Sequence, residues 1–460
     1  AWTYLGMTMT FGKVPLITEV LDYNSPNIPR DEVSVIRDFI MKELTEAAAI
    51  LPEKYAGGYP NEKGRITKYA CLSLKARAAL YFGDYALAES TAKEVMDKGG
   101  FSLFKISSLS DAQKKEAEEM SLYIDFAEKG IDKDEFVKGM FNYEALWHTE
   151  NANPDNPEYI MTRQYAASSW DYQDMTRYTS MRPNQLGGWS SVTPTQNLVD
   201  AYWGVDGHSV PQLPTPEERA KAYNQIKADL DAYQKPEGEA KFIAFCQEKI
   251  KNGTLKDYKY IQEFRNRDSR MYVSILMPFK SWYESNYGDK FVYEWIKNGN
   301  NESKTGFNFR KMLSLENDAN GDGQATGDYP CIRYAEILLI YAEAHTQTTG
   351  YDAATEAALN QLRDRCGMPD VPSGLSKEEG LKLIQNERRI ELAGEGFRGD
   401  DMTRYSDDYW KEHMNNVPIM TPDGDTELTM KWSSRMRLKP IPQTAIDLNP
   451  LLAGDQNPGY

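Results

Sequence analysis

The sequence predicts a mainly α protein in which helical hairpins form a scaffold and a loop-rich middle region carries aromatic side chains. Three observations favour this fold class. Apolar residues recur every three or four positions in two blocks, residues 31–100 and 333–393, as they do on one face of an amphipathic helix. In both blocks Ala-rich helices flank turns built from Gly, Tyr and Asp. Residues 145–330 are instead rich in Trp, Tyr, Asn, Gly and Pro.

The first block is predicted to contain three helices. Residues 31–51 form the first, which Pro52 ends because proline cannot continue a helix. Thr67 is expected to cap the second helix, residues 68–82, and the third ends at about Lys98, before two glycines. The apolar face of the first helix comprises Val33, Ile36, Ile40, Leu44, Ala47 and Leu51.

The second block repeats this pattern. A helix over 334–345 is followed by a Gly-Tyr-Asp turn at 350–352 and by a second helix over 353–365, which ends at Gly367. The first hairpin has the length, about 34 residues, and the Ala/Gly/Tyr composition of a tetratricopeptide repeat. We therefore expect stacked tetratricopeptide-like hairpins. The expected parts of one compact body are a helical-hairpin part (1–144), a loop-rich part (145–330) and a C-terminal helical part (331–460).

The middle part, residues 145–330, is where we expect the ligand. Only about 216–233 and 239–251 show helical periodicity there. Long loops are uncommon unless they are functional or disordered. The abundance of large aromatic residues argues against disorder, so function is the favoured interpretation.

Aromatic side chains cluster twice in this part. One group comprises Trp282, Tyr283, Tyr287, Tyr293 and Trp295, and the other Trp170, Tyr172, Tyr178 and Trp189. A sugar offers an apolar face that suits an aromatic ring and a rim of hydroxyls that suits Asn, Asp and Arg, and each ring contributes about 0.5–1.5 kcal/mol beyond area burial. For any single ring a place in a loop core is the better prediction. For at least one ring of the 282–295 group we expect an exposed ligand contact.

Four segments, taken in order, carry a family resemblance. They are Tyr329-Pro330-Cys331-Ile332-Arg333-Tyr334-Ala335-Glu336, Glu387-Arg388-Arg389-Ile390-Glu391, Pro440-Ile441-Pro442-Gln443 and Asn457-Pro458-Gly459-Tyr460. Together they closely resemble the C-terminal half of the SusD/RagB family. Segments at 11–17, 188–207 and 265–270 extend the resemblance over essentially the whole chain.

The resemblance implies a function and a location. Members of that family are lipoproteins on the extracellular face of the outer membrane, and they capture nutrients, mostly glycans, for a SusC-like TonB-dependent transporter. It also implies a scaffold of tetratricopeptide-like units and a site that draws aromatic residues from the 282–295 region. Family members carry an export signal, a lipidated cysteine and further residues ahead of the position that matches Ala1. We therefore interpret the chain as a fragment that lacks its lipid anchor and part of its site.

The leading hypothesis is a non-catalytic binding protein for oligosaccharides, and three alternatives stay open. A relative could capture peptides, a pure helical scaffold could bind other proteins, or a glycoside hydrolase could use a helical frame. A glycosidase needs two carboxyls about 5–10 Å apart across a cleft. Glu387, Glu391 and Glu395 instead follow one another every four residues along one helix, beside Arg388 and Arg389. We interpret them as partners of neighbouring helices, with Arg333 and Glu336 as candidates.

Metal and cofactor signals are weak. Asp318, Asn320 and Asp322 match the start of a calcium loop of the EF-hand type, but Tyr329 stands where the bidentate Glu is required. Weak calcium binding is the less favoured interpretation, after an ordinary polar turn. The four cysteines and four histidines show no metal-binding spacing, although one disulfide would be compatible with export. We expect no required cofactor.

Charge and hydropathy exclude other classes of partner. The formal net charge of −16 over 460 residues argues against nucleic acid and anionic membrane surfaces, which attract clustered Lys and Arg. No stretch approaches the ~20 apolar residues that span a bilayer. Contact with a membrane is therefore expected only through a lipid anchor absent from this fragment.

Overall fold

The computed structural model describes residues 1–22, 24–55, 64–148, 150–165, 183–283, 291–313 and 327–460. These residues form a mainly α structure with four short antiparallel strand pairs. No helix in these ranges is both long enough and apolar enough to cross a bilayer. The helices are α1 (Trp2–Phe11), α2 (Val33–Ile50), α3 (Lys68–Tyr81), α4 (Tyr85–Lys98), α5 (Asp111–Glu119), α6 (Phe126–Lys129), α7 (Lys133–Ala145), α8 (Gln196–Ala201), α9 (Pro216–Ala232), α10 (Lys241–Lys251), α11 (Lys259–Gln262), α12 (Met271–Ser274), α13 (Tyr334–Thr348), α14 (Ala353–Cys366), α15 (Lys377–Glu391), α16 (Phe397–Arg404), α17 (Asp407–Met414) and α18 (Gln443–Leu448).

The two predicted hairpin blocks are helical and pack against each other. Helices α2, α3 and α4 pack in sequence, α13 packs on α4, and α14 and α15 pack on α13. Small residues allow this closeness, since Ala76, Ala79, Ala88 and Ala92 are fully buried. The prediction of a helical-hairpin scaffold is therefore confirmed.

Local signals begin and end these helices as predicted. The Thr67 hydroxyl accepts a hydrogen bond from the Ala70 amide at 3.2 Å and so caps α3. Gly367 follows α14 with φ +63°, a conformation that glycine adopts without strain. Leu51, predicted as the last residue of the first helix, adopts an extended conformation directly after α2 and before Pro52.

Helix α7 packs against α14, and its Gly139 lies directly against the end of that helix. A Cβ atom on Gly139 would lie 2.1 Å from the backbone of Cys366 and Gly367. Only glycine allows this approach, so the identity of residue 139 fixes how α7 sits on the second hairpin block.

The strands occupy the middle part and the C-terminal part. They are β1 (Tyr159–Arg163), β2 (Ile275–Leu276), β3 (Ser281–Trp282), β4 (Phe291–Val292), β5 (Asn308–Phe309), β6 (Tyr329–Arg333), β7 (Pro418–Met420) and β8 (Thr426–Thr429). They pair as β1–β6, β2–β5, β3–β4 and β7–β8. The β1–β6 pair ends at Arg333, immediately before α13, and so joins the middle part to the second hairpin block. None of the four cysteines, all of which lie in the described ranges, forms a disulfide in the structure.

Candidate functional site

Trp282, one of the candidate ligand contacts, lies in the core, which is the place favoured for any single ring of its group. Its side chain is 1% exposed, and it pairs with Phe291 across the β3–β4 ribbon. The Arg310 guanidinium lies 5.0 Å from the centre of its ring. Arg310 forms ion pairs with Glu116 and Glu144. The Trp282 ring therefore packs against a buried ion-pair cluster.

Trp295, another candidate ligand contact, is also buried. Its side chain is 6% exposed and its indole N–H donates to the Ser303 carbonyl at 2.9 Å. Tyr223 packs edge-on against the ring, with centroids 5.7 Å apart. A buried ring whose N–H is hydrogen-bonded within the protein is a loop-core residue, which is the interpretation favoured for any single ring. The expectation of at least one exposed ring in the 282–295 group stays a prediction.

Two other predicted rings keep exposed area. Trp189 is 50% exposed. Tyr283 is partly buried, and its hydroxyl donates to Glu119. The segment before Trp189 contacts the chain just after β4, because the Glu294 amide donates to the Gln185 side chain at 3.1 Å. We call Trp189 and Tyr283, the two predicted rings that keep exposed area, the aromatic edge.

Several predicted site residues lie outside the described residues. Trp170, Tyr172 and Tyr287, with the calcium-loop candidates Asp318, Asn320 and Asp322, fall within 166–182, 284–290 and 314–326. Within the ranges that the structure describes, no group of His, Cys, Asp and Glu side chains could hold a metal ion.

The row of glutamates at the end of α15 is a buried ion-pair network, as predicted. Glu391 is fully buried and accepts from Arg333 at 2.8 Å, from Arg270 at 3.0 Å and from Arg365. Glu387 accepts from Arg270 and from Arg363.

Beyond α15, Glu395 joins the same network. It accepts from Arg333 and from Lys311, both at 2.7 Å. The network therefore occupies every carboxyl of the row with cations.

The network holds the carboxylates of Glu391 and Glu395 in the charged form. Burial alone would raise the pKa of Glu391, but the surrounding guanidinium groups outweigh burial and hold that pKa well below its usual range. Arg388 pairs with Asp401 at 2.8 Å and approaches Glu336 to 4.0 Å. These groups position α15 and do not face each other across a cleft, which argues against a hydrolase centred on them.

A cavity that the sequence did not predict lies beside this helix. It measures about 420 Å³ and opens between residues 192–198, the loop 392–399 and the end of α17. We call it the arginine cavity because Arg388, Arg389 and Arg398 line it. Its walls are otherwise largely apolar, with Val192, Pro194, Leu198, Phe309, Leu392 and Met414 among them. The one available sequence signal was the interleaved Arg residues after Glu387, which we interpreted as scaffold.

Comparisons with known proteins agree with one another. The family model for the SusD family matches residues 157–460. A SusD-like protein P2 of Formosa agariphila is 29% identical over 148 residues, which is 31% of this chain but only 28% of that protein. Similarity in sequence to this relative therefore covers less than a third of either protein.

Solved structures resemble the fold over nearly the whole chain. A SusD-like protein from Bacteroides fragilis covers 100% of this chain and 78% of its own, with a TM-score of 0.70 at 24% identity. A SusD-like carbohydrate-binding protein from the same species covers 98% of this chain and 77% of its own, with a TM-score of 0.66 at 21% identity. With the family model matching well over half of the sequence, the chain belongs to the SusD family.

Proposed function

We propose that this protein is a non-catalytic binding protein that captures oligosaccharides. The observation that carries the proposal is the SusD family match over residues 157–460, a range that includes both residues of the aromatic edge. The fold likeness to a carbohydrate-binding relative supports the same class of ligand. Trp189 is the candidate stacking ring because half of its surface is exposed.

The proposal extends to a transport partner. The captured glycan would pass to a SusC-like TonB-dependent transporter, and the protein would act at the extracellular face of the outer membrane. A small number of aromatic contacts without deep enclosure gives modest affinity, which suits a protein that releases its ligand to a partner. Co-purification of the protein with a SusC-like transporter tests this part separately.

The ligand claim is tested by titrating a glycan panel against a matched pair of tryptophan variants. Trp189→Ala is expected to weaken binding of the recognised glycan by about tenfold, because a stacking contact and its buried area are lost. The melting temperature should stay nearly unchanged, since the ring is half exposed. Trp2→Ala is the control, because Trp2 is 45% exposed but lies on α1.

Two results would contradict the proposal. Equal affinities for Trp189→Ala, Trp2→Ala and the unaltered protein would remove Trp189 from the site. Release of shorter sugars during long incubation, abolished by mutation of a defined carboxylate pair, would favour the glycoside hydrolase instead.

A further inference from the structure

Arg389 and Arg398 line the arginine cavity without an acidic partner among the described residues. Within the described part of the chain, Arg389 donates only to Asn197, to its backbone carbonyl at 2.9 Å and to its side-chain oxygen. Arg398 donates, in the same ranges, only to the Tyr409 hydroxyl, at 2.9 Å. Both partners are neutral, and each guanidinium has five N–H donors, so donor capacity is left over on both side chains.

The fully buried arginines of this protein are compensated differently. Arg270, Arg333 and Arg365 each contact carboxylates, and Arg267 donates to the backbone carbonyls of Val199 and Tyr202. A charge removed from water is costly unless it is paired. Arg389 and Arg398, which line an open cavity, therefore differ from these arginines. An anion bound in the cavity would supply the negatively charged partner that they lack.

The acid in the same wall is already engaged. Asp401 lines the cavity, but both of its carboxyl oxygens accept from Arg388, and one also accepts from Arg404. Arg388 itself is 3% exposed, and its Nη1 has no hydrogen-bond partner among the described residues. The cavity wall therefore holds more cationic than anionic groups.

The pKa of Arg389 agrees with the excess of cationic groups in the cavity wall. Burial and, after it, the nearby Arg398 charge lower the pKa of the Arg389 guanidinium to about 10. Arg389 remains charged at neutral pH, and a bound anion would relieve the repulsion between the two cations.

Helix α16 adds a third contribution. Its first residues, Phe397 and Arg398, line the cavity together with Gly396. Gly396 is the N-cap residue and offers no side chain to the helix amides. Uncapped amides and the helix dipole favour negative charge at this end.

We propose that the arginine cavity binds a small carboxylate-bearing ligand through Arg389 and Arg398. The planar guanidinium groups match a carboxylate, and the apolar wall formed by Val192, Pro194 and Leu198 suits an organic body better than a bare inorganic anion. A volume of about 420 Å³ lies within the range of about 300–1,000 Å³ that small-molecule pockets occupy. An acidic sugar is the ligand of this class that we commit to, and that choice alone rests on the proposed function.

The test is calorimetric titration of the protein with glucuronate, with glucose and with sodium sulfate at matched ionic strength. Glucuronate is expected to bind, while glucose and sulfate bind at least about tenfold more weakly because each lacks either the charge or the organic body. Arg389→Gln and Arg398→Gln should each weaken glucuronate binding about ten- to a hundredfold. Arg37→Gln is the control, because Arg37 is an exposed arginine of α2 that contacts Asp38.

Each of the other outcomes would overturn a stated part of the proposal. Equal binding of glucose and glucuronate, or unchanged binding in both cavity variants, would remove the carboxylate site. Sulfate binding as tight as glucuronate would show recognition of charge alone. Should Arg389→Gln fail to fold, Arg398→Gln decides, since its described hydrogen bond is to one tyrosine hydroxyl. Glycan binding at the aromatic edge without glucuronate binding would refute this inference and leave the proposed function standing.

Discussion

Glu391 shows how a single residue holds distant parts of this protein together. Its carboxylate lies out of contact with water and is surrounded by Arg270, Arg333 and Arg365. Burying such a cluster does not by itself stabilise a fold more than apolar packing would. Removing one member, however, leaves the remaining buried charges without a partner. The loss of any single member is therefore expected to destabilise the fold.

We therefore expect Glu391→Gln to lower the free energy of unfolding by about 3–5 kcal/mol, because three guanidinium groups lose their shared anion. Urea unfolding monitored by circular dichroism measures this loss. Glu378→Gln is the matched control on the same helix, since the pair Glu378–Lys382 is exposed and contributes little. Equal stability of the two variants would contradict the interpretation of Glu391 as a scaffold residue.

At the scale of elements, α7 and α14 pack closely because residue 139 is a glycine and has no side chain. The ends of α14 and the following turn approach Gly139 so closely that no Cβ atom fits. Gly6, on α1, is also a helical glycine, but nothing lies within 4 Å of the position of its Cβ. The same substitution at these two positions should therefore have opposite effects.

Gly139→Ala is expected to destabilise the protein by about 1–3 kcal/mol or more, because α7 must move away from α14. Gly6→Ala is expected to be neutral or to stabilise by up to about 1 kcal/mol, since alanine is the better helix former. Thermal unfolding of both variants checks the pair. Similar losses of stability in both variants would contradict the interpretation that the space around each glycine decides the effect of the substitution.

At the scale of the whole molecule, the ion-pair network connects parts that are far apart in the sequence. Glu158 and Arg270 come from the middle part, and Arg333, Arg365 and Glu391 come from the second hairpin block. The first hairpin block contacts the second through a separate ion pair, between Arg77 and Glu336 at 2.6 Å. Loss of any one part would therefore expose charges in the others.

Equilibrium unfolding is accordingly expected to be one cooperative transition. Tryptophan fluorescence, which reports mainly on the aromatic-rich parts, and far-ultraviolet circular dichroism, which reports on the helices, should give the same midpoint in urea. Two separated midpoints would show that the middle part unfolds independently of the hairpin scaffold.

The sequence was sufficient for features whose causes are local. Pro52, Thr67 and Gly367 act on their own neighbours, and the helices begin and end within a few residues of the predicted limits. Helical spacing also places Glu387 and Glu391 on one face of α15, as predicted, whereas the prediction is wrong for Glu395, which lies beyond the end of that helix. The partners of this cluster were not identifiable beyond Arg333 and Glu336.

The site was less predictable because burial depends on distant chain segments. Trp282 is covered through Arg310 and the acids that hold Arg310, and no local pattern distinguishes such a ring from an exposed one. Arg389 faces a cavity only because residues 192–198 lie opposite the end of α15. The hairpin β7–β8 was not predicted either, since it pairs strands of three and four residues that are largely exposed.

The close approach of α7 to α14 also has a consequence in thiol chemistry. Cys366, the last residue of α14, is fully buried at that contact, and burial raises the pKa of its thiol to about 11. Because the thiolate is the reactive form, Cys366 is protected from alkylating reagents at neutral pH for as long as the two helices stay together. The rate at which it is alkylated in the native protein therefore measures how often this one contact opens.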